Sequence, residues 1–379
     1  MMSHRSKREL LETVWPRYLK ASKKEKTQIA DEFVAATGYH RKYALRVLKH
    51  GPSTKSVKRK GRTAIYRGEV VKVLEQIWDI CGRICSRRLH PFLPEVVKVL
   101  ERHSELEISP ETKALLLQMS RSTIDRCLQP ARFEKRRGLS TTKPGSLLKQ
   151  QIAVRTFADW DDAQPGFMEI DLVAHCGGSV AGQFLNTLTC TDVSTGWTEC
   201  LALLYRSQEQ VYQALKIMHQ RLPFDLLGID SDNGTEFIND LIYGYCKQEK
   251  ITFTRSRPYK KNDQAYVEQK NWSIVRRTVG YDRWESEEEH ILLQSVYETL
   301  RLYTNFFQPV LKLMSKARVG NKTIKRYDTA MTPYQRVLAS DTIPVKAKAQ
   351  LAHQYLHLNP VQLRNDIDKK IAKLWNISK

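Results

Sequence analysis

The sequence predicts an α/β core with the element order βββαβαβα, preceded by all-α helix-turn-helix modules and followed by a mixed C-terminal region. Two observations lead there. Up to about residue 132 apolar residues recur at helical spacing, and from 167 onward they gather into short β-branched runs separated by glycines. The charge changes at the same place. Residues 1–150 hold 33 Lys and Arg against 15 Asp and Glu, whereas 151–379 hold 29 against 26. Of the net charge of +21, the helical front therefore carries 18. A basic segment joined to a nearly neutral one reads as a polyanion-binding region attached to a separate chemistry.

The 379 residues suggest two to four domains, and a hydrophobic content of 41% suffices for ordinary cores. No apolar run approaches the roughly 18 to 20 residues that span a bilayer. The first 20 residues carry charge but no apolar signal core, so secretion is not expected. Seven cysteines occur without any C-x-x-C pair, the usage of a reducing compartment. His40, His50, Cys81 and Cys85 fit no familiar zinc spacing.

The front reads as helices at 7–20, 23–36 and 39–50. The second ends at Gly38, and Tyr39, Tyr43 and Leu45 to Val47 are expected to pack while Arg41, Lys42, Arg46 and Lys49 stay outside. Two short helices across a glycine turn, the second cationic, form the pattern of a helix-turn-helix. After a Gly/Ser/Lys-rich linker at 51–62, helices are expected at 68–80 and 91–102. A second helix-turn-helix pattern spans 109–132: Ser109 caps, Pro110 opens, Met119-Ser120 turns. Arg121, Ser122, Thr123 and Arg126 are then placed to face a major groove. A basic connector at 133–152 leads to strands at 167–175, 183–193 and 197–204. A helix at 207–220, a strand at 225–231, a helix at 235–249, a strand at 251–256 and a long helix at 262–280 follow. Beyond them lie an amphipathic helix at 287–309, a cationic hairpin at 311–330 turning at Gly320-Asn321, and two tail helices.

Three acids stand out on these elements. Asp171 sits inside a strand among Met168, Ile170, Leu172 and Val173, where a charge is costly unless paired or metal-bound. Asp232 opens SDNGTEF at a strand's carboxyl end, with Gly234 expected to permit a sharp turn. Glu268 lies on the last core helix. Attack on a phosphodiester needs an activated nucleophile and charge relief, and two Mg²⁺ ions held by three carboxylates supply both. Asp230 is the rival to Asp232 at the strand end. Asp192 reads as a turn residue, Glu169 is assigned to the strand face opposite Asp171, and His175 is either a substrate contact or an ordinary strand-end histidine.

The spacing is also specific. Asp171, Asp232 after 60 residues and Glu268 after 35 more resemble the D,D(35)E signature of retroviral integrases and of integrase-like transposases from bacterial insertion sequences. SDNGTEF resembles the family's motif around its second aspartate. QAYVEQKNWSIVRR is similar to the helix around its glutamate, with Asn271 matching a recurrent Asn, and TDVSTGW resembles its strand-connecting turn. The resemblance covers residues 165–281, and loosely the basic front and MTPYQRV at 331–337. It implies an RNase-H-like catalytic core at 151–284, after DNA-binding regions at 1–62 and 63–150 and before a helical and hairpin C-terminal region at 285–379, which is assigned to DNA binding or subunit contact. The implied protein is a DNA transposase that cleaves and joins element ends. Asp171, Asp232 and Glu268 would bind two Mg²⁺, with Mn²⁺ as substitute. The implied partners are double-stranded DNA (terminal inverted repeats and target) and further copies of the chain on DNA, in a prokaryotic cytoplasm at the nucleoid. The chain lacks the retroviral His-His-Cys-Cys module. Arg41, Lys42, Arg46, Arg121, Arg126, Arg255, Arg257, Lys260, Lys261, Lys270 and Arg276 are the candidate DNA contacts. The stripe Ile291, Leu292, Val296, Leu300 and Tyr303 serves either the chain's own core or a subunit contact. A nuclease or resolvase without strand transfer, and a DNA-binding regulator with an inactive core, are the rival readings.

Overall fold

Capping residues set the boundaries of the first three helices. In a computed structural model describing residues 2–52, 65–134, 164–232, 234–255 and 264–377, these are α1 (His4–Lys20), α2 (Lys23–Thr37) and α3 (Arg41–His50). Ser22 and Glu25 form a reciprocal capping box at the start of α2. Gly38 ends it at φ 66°, a left-handed conformation that costs glycine little. Leu11, Ala30, Phe33, Ala44 and Leu48 make the core of this unit, Met1–Ile65. Helix α3 packs through Ala44, Val47 and Leu48, so Tyr43 and Leu45, expected inside, are exposed.

The second unit, Tyr66–Lys379, begins with α4 (Glu69–Ile80), α5 (Ser86–Arg102), α6 (Pro110–Leu117), α7 (Arg121–Cys127) and α8 (Gln129–Glu134). Helix α5 starts five residues before the expected 91 and runs through Pro91 and Pro94. An interior proline costs about 3 kcal/mol. Leu89, Phe92, Leu93, Val96, Val97 and Leu100 are all buried, at roughly 1.5–3 kcal/mol each, which outweighs two such breaks. Ser109 and Ser120 cap α6 and α7, accepting from the backbone N–H of Thr112 and Thr123. Thr123 is buried, so it does not face outward as expected, while Arg121, Ser122 and Arg126 do.

Five strands follow in one mixed sheet of order β3-β2-β1-β4-β5: β1 (Phe167–Ala174), β2 (Asn186–Asp192), β3 (Thr198–Leu203), β4 (Gly228–Ser231) and β5 (Thr252–Arg255). β1, β2 and β3 are antiparallel neighbours, whereas β1, β4 and β5 are parallel. Helix α9 (Gln208–Arg221) packs on β2 and β3, and α10 (Asp240–Gln248) on β5. Residues 235–239, expected as helix, form turns, because Asn239 takes the N-cap position of α10 and bonds back to the carbonyl of Glu236. The helix α11 (Ala265–Lys270) continues through a π-helical turn, Asn271–Arg276, into α12 (Arg277–Val279).

The long helix α13 (Glu287–Phe307) spends its apolar stripe on the chain's own core: Leu293, Val296, Leu300 and Tyr303 are buried, and Ile291 alone of the expected stripe is well exposed. A hairpin of β6 (Leu313–Val319) and β7 (Lys322–Tyr327) precedes α14 (Pro333–Ala339), α15 (Val345–His357) and α16 (Pro360–Ile377). Tyr303 Oη donates to the carbonyl of Ile80 at 2.6 Å, and Tyr355 Oη to Glu95 at 2.6 Å. Helices α4 and α5 thus share one continuous apolar core with the sheet and the C-terminal helices. Among the described residues no helix is long and apolar enough to cross a membrane.

Candidate active site

The three acids stand on separate elements that two buried polar side chains hold together. Asp171 is on β1, its Oδ1 accepting from the Leu172 N–H at 2.8 Å and its Oδ2 from Asn271 Nδ2 at 2.7 Å. Asp232 follows β4 and accepts from the Gly234 N–H at 2.9 Å. Glu268 is exposed, on the first turns of α11. The start of α11 is fixed by Glu169, whose Oε2 accepts from the N–H groups of Tyr266 and Val267, both at 2.9 Å. Gln264 donates to the carbonyls of Ile170 and Asp230, tying the same helix end to β1 and β4.

Glu169 therefore corrects the reading that set it on the far face. Residues two apart on a strand share a face, and Glu169 lies on the side of Asp171, against α11. Its importance was not visible because its partners lie 97 and 98 residues away. Alternation alone, properly applied, was the available signal. The chain turns at Gly234, whose carbonyl accepts from the N–H groups of Phe237 and Ile238. Its missing side chain leaves room for the Glu236 carboxylate, 2.5 Å from where a Cβ would stand. Glu236 pairs with Arg206, and the two line an open cleft of about 770 Å³ with Ser207, Gln208, Gly234 and Thr235.

Burial, then the charges of Asp232 and Glu268, push Asp171 up to about 7 against the bond from Leu172. Burial, then Asp230 and Glu268, push Glu169 up to about 8. The acids thus feel one another across β1, the Asp232 turn and α11. Hard carboxylate oxygens in mutual repulsion suit a divalent cation such as Mg²⁺. Among the described residues, no three His, Cys, Asp or Glu side chains close around a single cation position. Asp230 is buried and accepts from Thr254 Oγ1 at 2.7 Å. Asp192 holds its turn, accepting from the Thr195 N–H and hydroxyl and from the Gly166 N–H.

No protein-family model matches the chain. The uncharacterized protein y4rM of Sinorhizobium fredii (strain NBRC 101917 / NGR234) is 42% identical over 337 residues, covering 88% of this chain and 96% of that protein. The chain belongs to the y4rM family. Among solved structures, the catalytic core domain of BIV integrase (crystal form I) is similar at 19% identity and a TM-score of 0.32, covering 46% of this chain and 95% of that one. The HTLV-2 integrase catalytic core domain in complex with magnesium (dimeric form) is similar at 13% identity and 0.30, covering 40% and 93%.

In this y4rM-family chain the candidate DNA contacts divide. Arg41, Lys42 and Arg46 are exposed on α3, Arg41 paired with Asp31 and Arg46 4.9 Å from the Tyr43 ring. Arg121 and Arg126 are exposed on α7, and Arg255 at the end of β5. Arg257, Lys260 and Lys261 lie outside the described residues. Lys270 is buried, and burial, then Arg88, push its ammonium down to about 7. The chain's own interior surrounds it, so the expected phosphate contact is corrected: a helix residue two positions after an exposed glutamate turns inward. Arg276 donates to the carbonyls of Ala174 and Gly280 and stacks over Tyr281, so its guanidinium braces the backbone.

His175 is an interior histidine of the same family member. It is buried, 2.7 Å from Thr187 Oγ1, which in turn lies 2.6 Å from Tyr297 Oη. Burial, then Arg276, hold its pKa down to about 3. An unfolded histidine titrates near ~6.5, so between those values the unfolded chain binds the extra proton. This contribution to stability is present above about pH 6.5 and is lost as the pH falls towards 3. As the pH falls from about 7 to 5, the denaturant midpoint of the wild-type chain should drop relative to that of His175→Gln. Equal pH slopes for the two proteins would remove His175 from this account.

Proposed function

We propose that the chain is a DDE-type DNA transposase with an RNase-H-like core, served by helix-turn-helix modules at α2–α3 and α6–α7. The observation that supports it is the bond from Asn271, one turn beyond Glu268 on the same helix, to the half-buried Asp171 carboxyl on β1, the strand next to β4, out of which Asp232 leads. Asp171, Asp232 and Glu268 would hold Mg²⁺ or Mn²⁺, which supplies charge relief at the scissile phosphate and lowers the pKa of the attacking oxygen. Asn271 orients Asp171, while Glu169 and Gln264 keep α11 in place so that Glu268 stays beside it.

Water attacks phosphorus at the element end and the P–O3′ bond breaks; the freed 3′-hydroxyl then attacks a target phosphodiester, forming a new P–O3′ bond and expelling the target strand's own 3′-oxygen, which takes the proton. The substrates are terminal inverted repeats and target DNA, and several copies of the chain act together on the two ends. The basic front, with +18 of the +21 net charges, carries the DNA affinity, and the place of action is the bacterial cytoplasm.

The test is a gel assay of the full chain with Mg²⁺ and an oligonucleotide from the boundary of the element that encodes it. Joined products are the expected result. Cleavage without joining would instead mark a nuclease or resolvase, and a shifted but intact band a regulator.

A further inference from the structure

The hairpin β6–β7 stands apart from the core that occupies the rest of its unit. Both strands are exposed along nearly their whole length, and the pair forms a separate two-stranded sheet. Its base is clamped. Asp328 accepts from the Lys312 N–H at 2.7 Å and from Arg336 at 2.6 Å, Val310 bridges to Met331, and Arg87 lies 5.1 Å from the Tyr327 ring. From that base the blade extends over β7's six residues, roughly 20 Å at strand rise.

Isolated two-stranded hairpins are marginal in water, and this one adds two further costs. Residues 312–327 contain six Lys or Arg and no Asp or Glu, so like charges crowd along the ribbon. Met314, Val319 and Ile324 are 69%, 61% and 48% exposed. Arg318, Lys322, Lys325 and Arg326 are exposed and form no ion pair with any described residue; Arg318 Nε donates to the carbonyl of Gly320. Cations spaced along an unpaired ribbon complement a regular polyanion, and a two-stranded ribbon is of a size that the major groove of B-DNA admits.

We infer that the β6–β7 hairpin is a duplex-DNA-binding ribbon seated in one groove, its two faces turned to the two strands' phosphates, Lys322 and Arg326 on one face and Arg318 and Lys325 on the other. This rests on the proposed action on DNA, and it gives the chain a nucleic-acid contact outside both the basic front and the three acids. A protein partner fits less well, because the acid-free run would require an acidic surface of matching length.

The test measures duplex binding by the full chain across about 50–300 mM salt, without cleavage. Replacing Arg318, Lys322, Lys325 and Arg326 together by Ala should weaken binding at least tenfold at about 0.1 M salt. It should also reduce the slope of log K against log salt by about 3 to 4, the loss of four phosphate contacts. The charge-preserving pair Lys322→Arg and Lys325→Arg should keep both, and circular dichroism checks that each variant is folded. An unchanged slope in the alanine variant, with the wild type binding normally, overturns the ribbon and leaves the proposed function standing. So does a change in mass by light scattering with DNA affinity intact, which would make the hairpin a contact between copies. A wild-type chain without DNA affinity overturns both.

Discussion

Asp171→Asn, Asp232→Asn and Glu268→Gln should each reduce Mg²⁺-dependent cleavage of end DNA by at least about 10³-fold while DNA affinity changes little. Charge relief by a bound cation is worth several kcal/mol in the transition state, and each ~1.4 kcal/mol is tenfold in rate. The three substitutions keep size and shape, so they remove charge without opening a cavity. Their structural side effects should differ. Asp171→Asn alters a half-buried group bonded to Asn271, and removes the charge that burial, then Asp232 and Glu268, disfavour there. Its folded state should therefore be no less stable than wild type. Glu268→Gln changes an exposed side chain and should leave stability unaffected. Single-turnover cleavage with matched binding titrations decides the matter, and wild-type cleavage by any one variant takes that residue out of the site.

Arg301→Met should destabilise the second unit by about 3–5 kcal/mol, the range for stranding one member of a buried ion pair. Arg301 Nε bonds both oxygens of Glu199, at 2.7 and 2.6 Å, and its Nη2 reaches the carbonyl of Arg221. Glu199 on β3 is 1% exposed and also accepts from Trp197 Nε1 at 2.8 Å. Burial raises its pKa, and Arg301 is the largest influence in the other direction. Without Arg301 a carboxylate remains in the interior, where it must either stay charged at high cost or take up a proton. The double variant Glu199→Gln with Arg301→Met should recover part of the loss, because no charge is then left unpaired. Denaturant midpoints for the wild type, both single variants and the double variant check this. A shift below about 1 kcal/mol for Arg301→Met would show that the pair is solvated rather than buried.

What the sequence by itself determined is what depends on neighbours a few residues away. Ser22 with Glu25, Ser109 with Pro110, and Gly38 mark helix ends because a capping side chain or a left-handed glycine acts within one turn. The turn at Gly320-Asn321 and the strand runs of β1 to β5 were legible for the same reason, as were the three acids, whose spacing and flanking motifs are linear features. Tertiary structure decided everything that rests on distant partners. Glu169 acts only because α11 arrives 97 residues later, and Lys270 turns inward only because Gly196 and Cys200 lie beneath its helix. Pro91 and Pro94 remain inside α5 because six buried side chains outweigh a local penalty that the sequence displays openly. The stripe of α13 left two destinations open, and its burial against the chain's own core settled the choice. Local preferences amount to about 1 kcal/mol per residue, whereas burial of a large apolar side chain or desolvation of a charge amounts to several. Where the two conflict, the long-range effect wins, and its partners cannot be read from position in the chain.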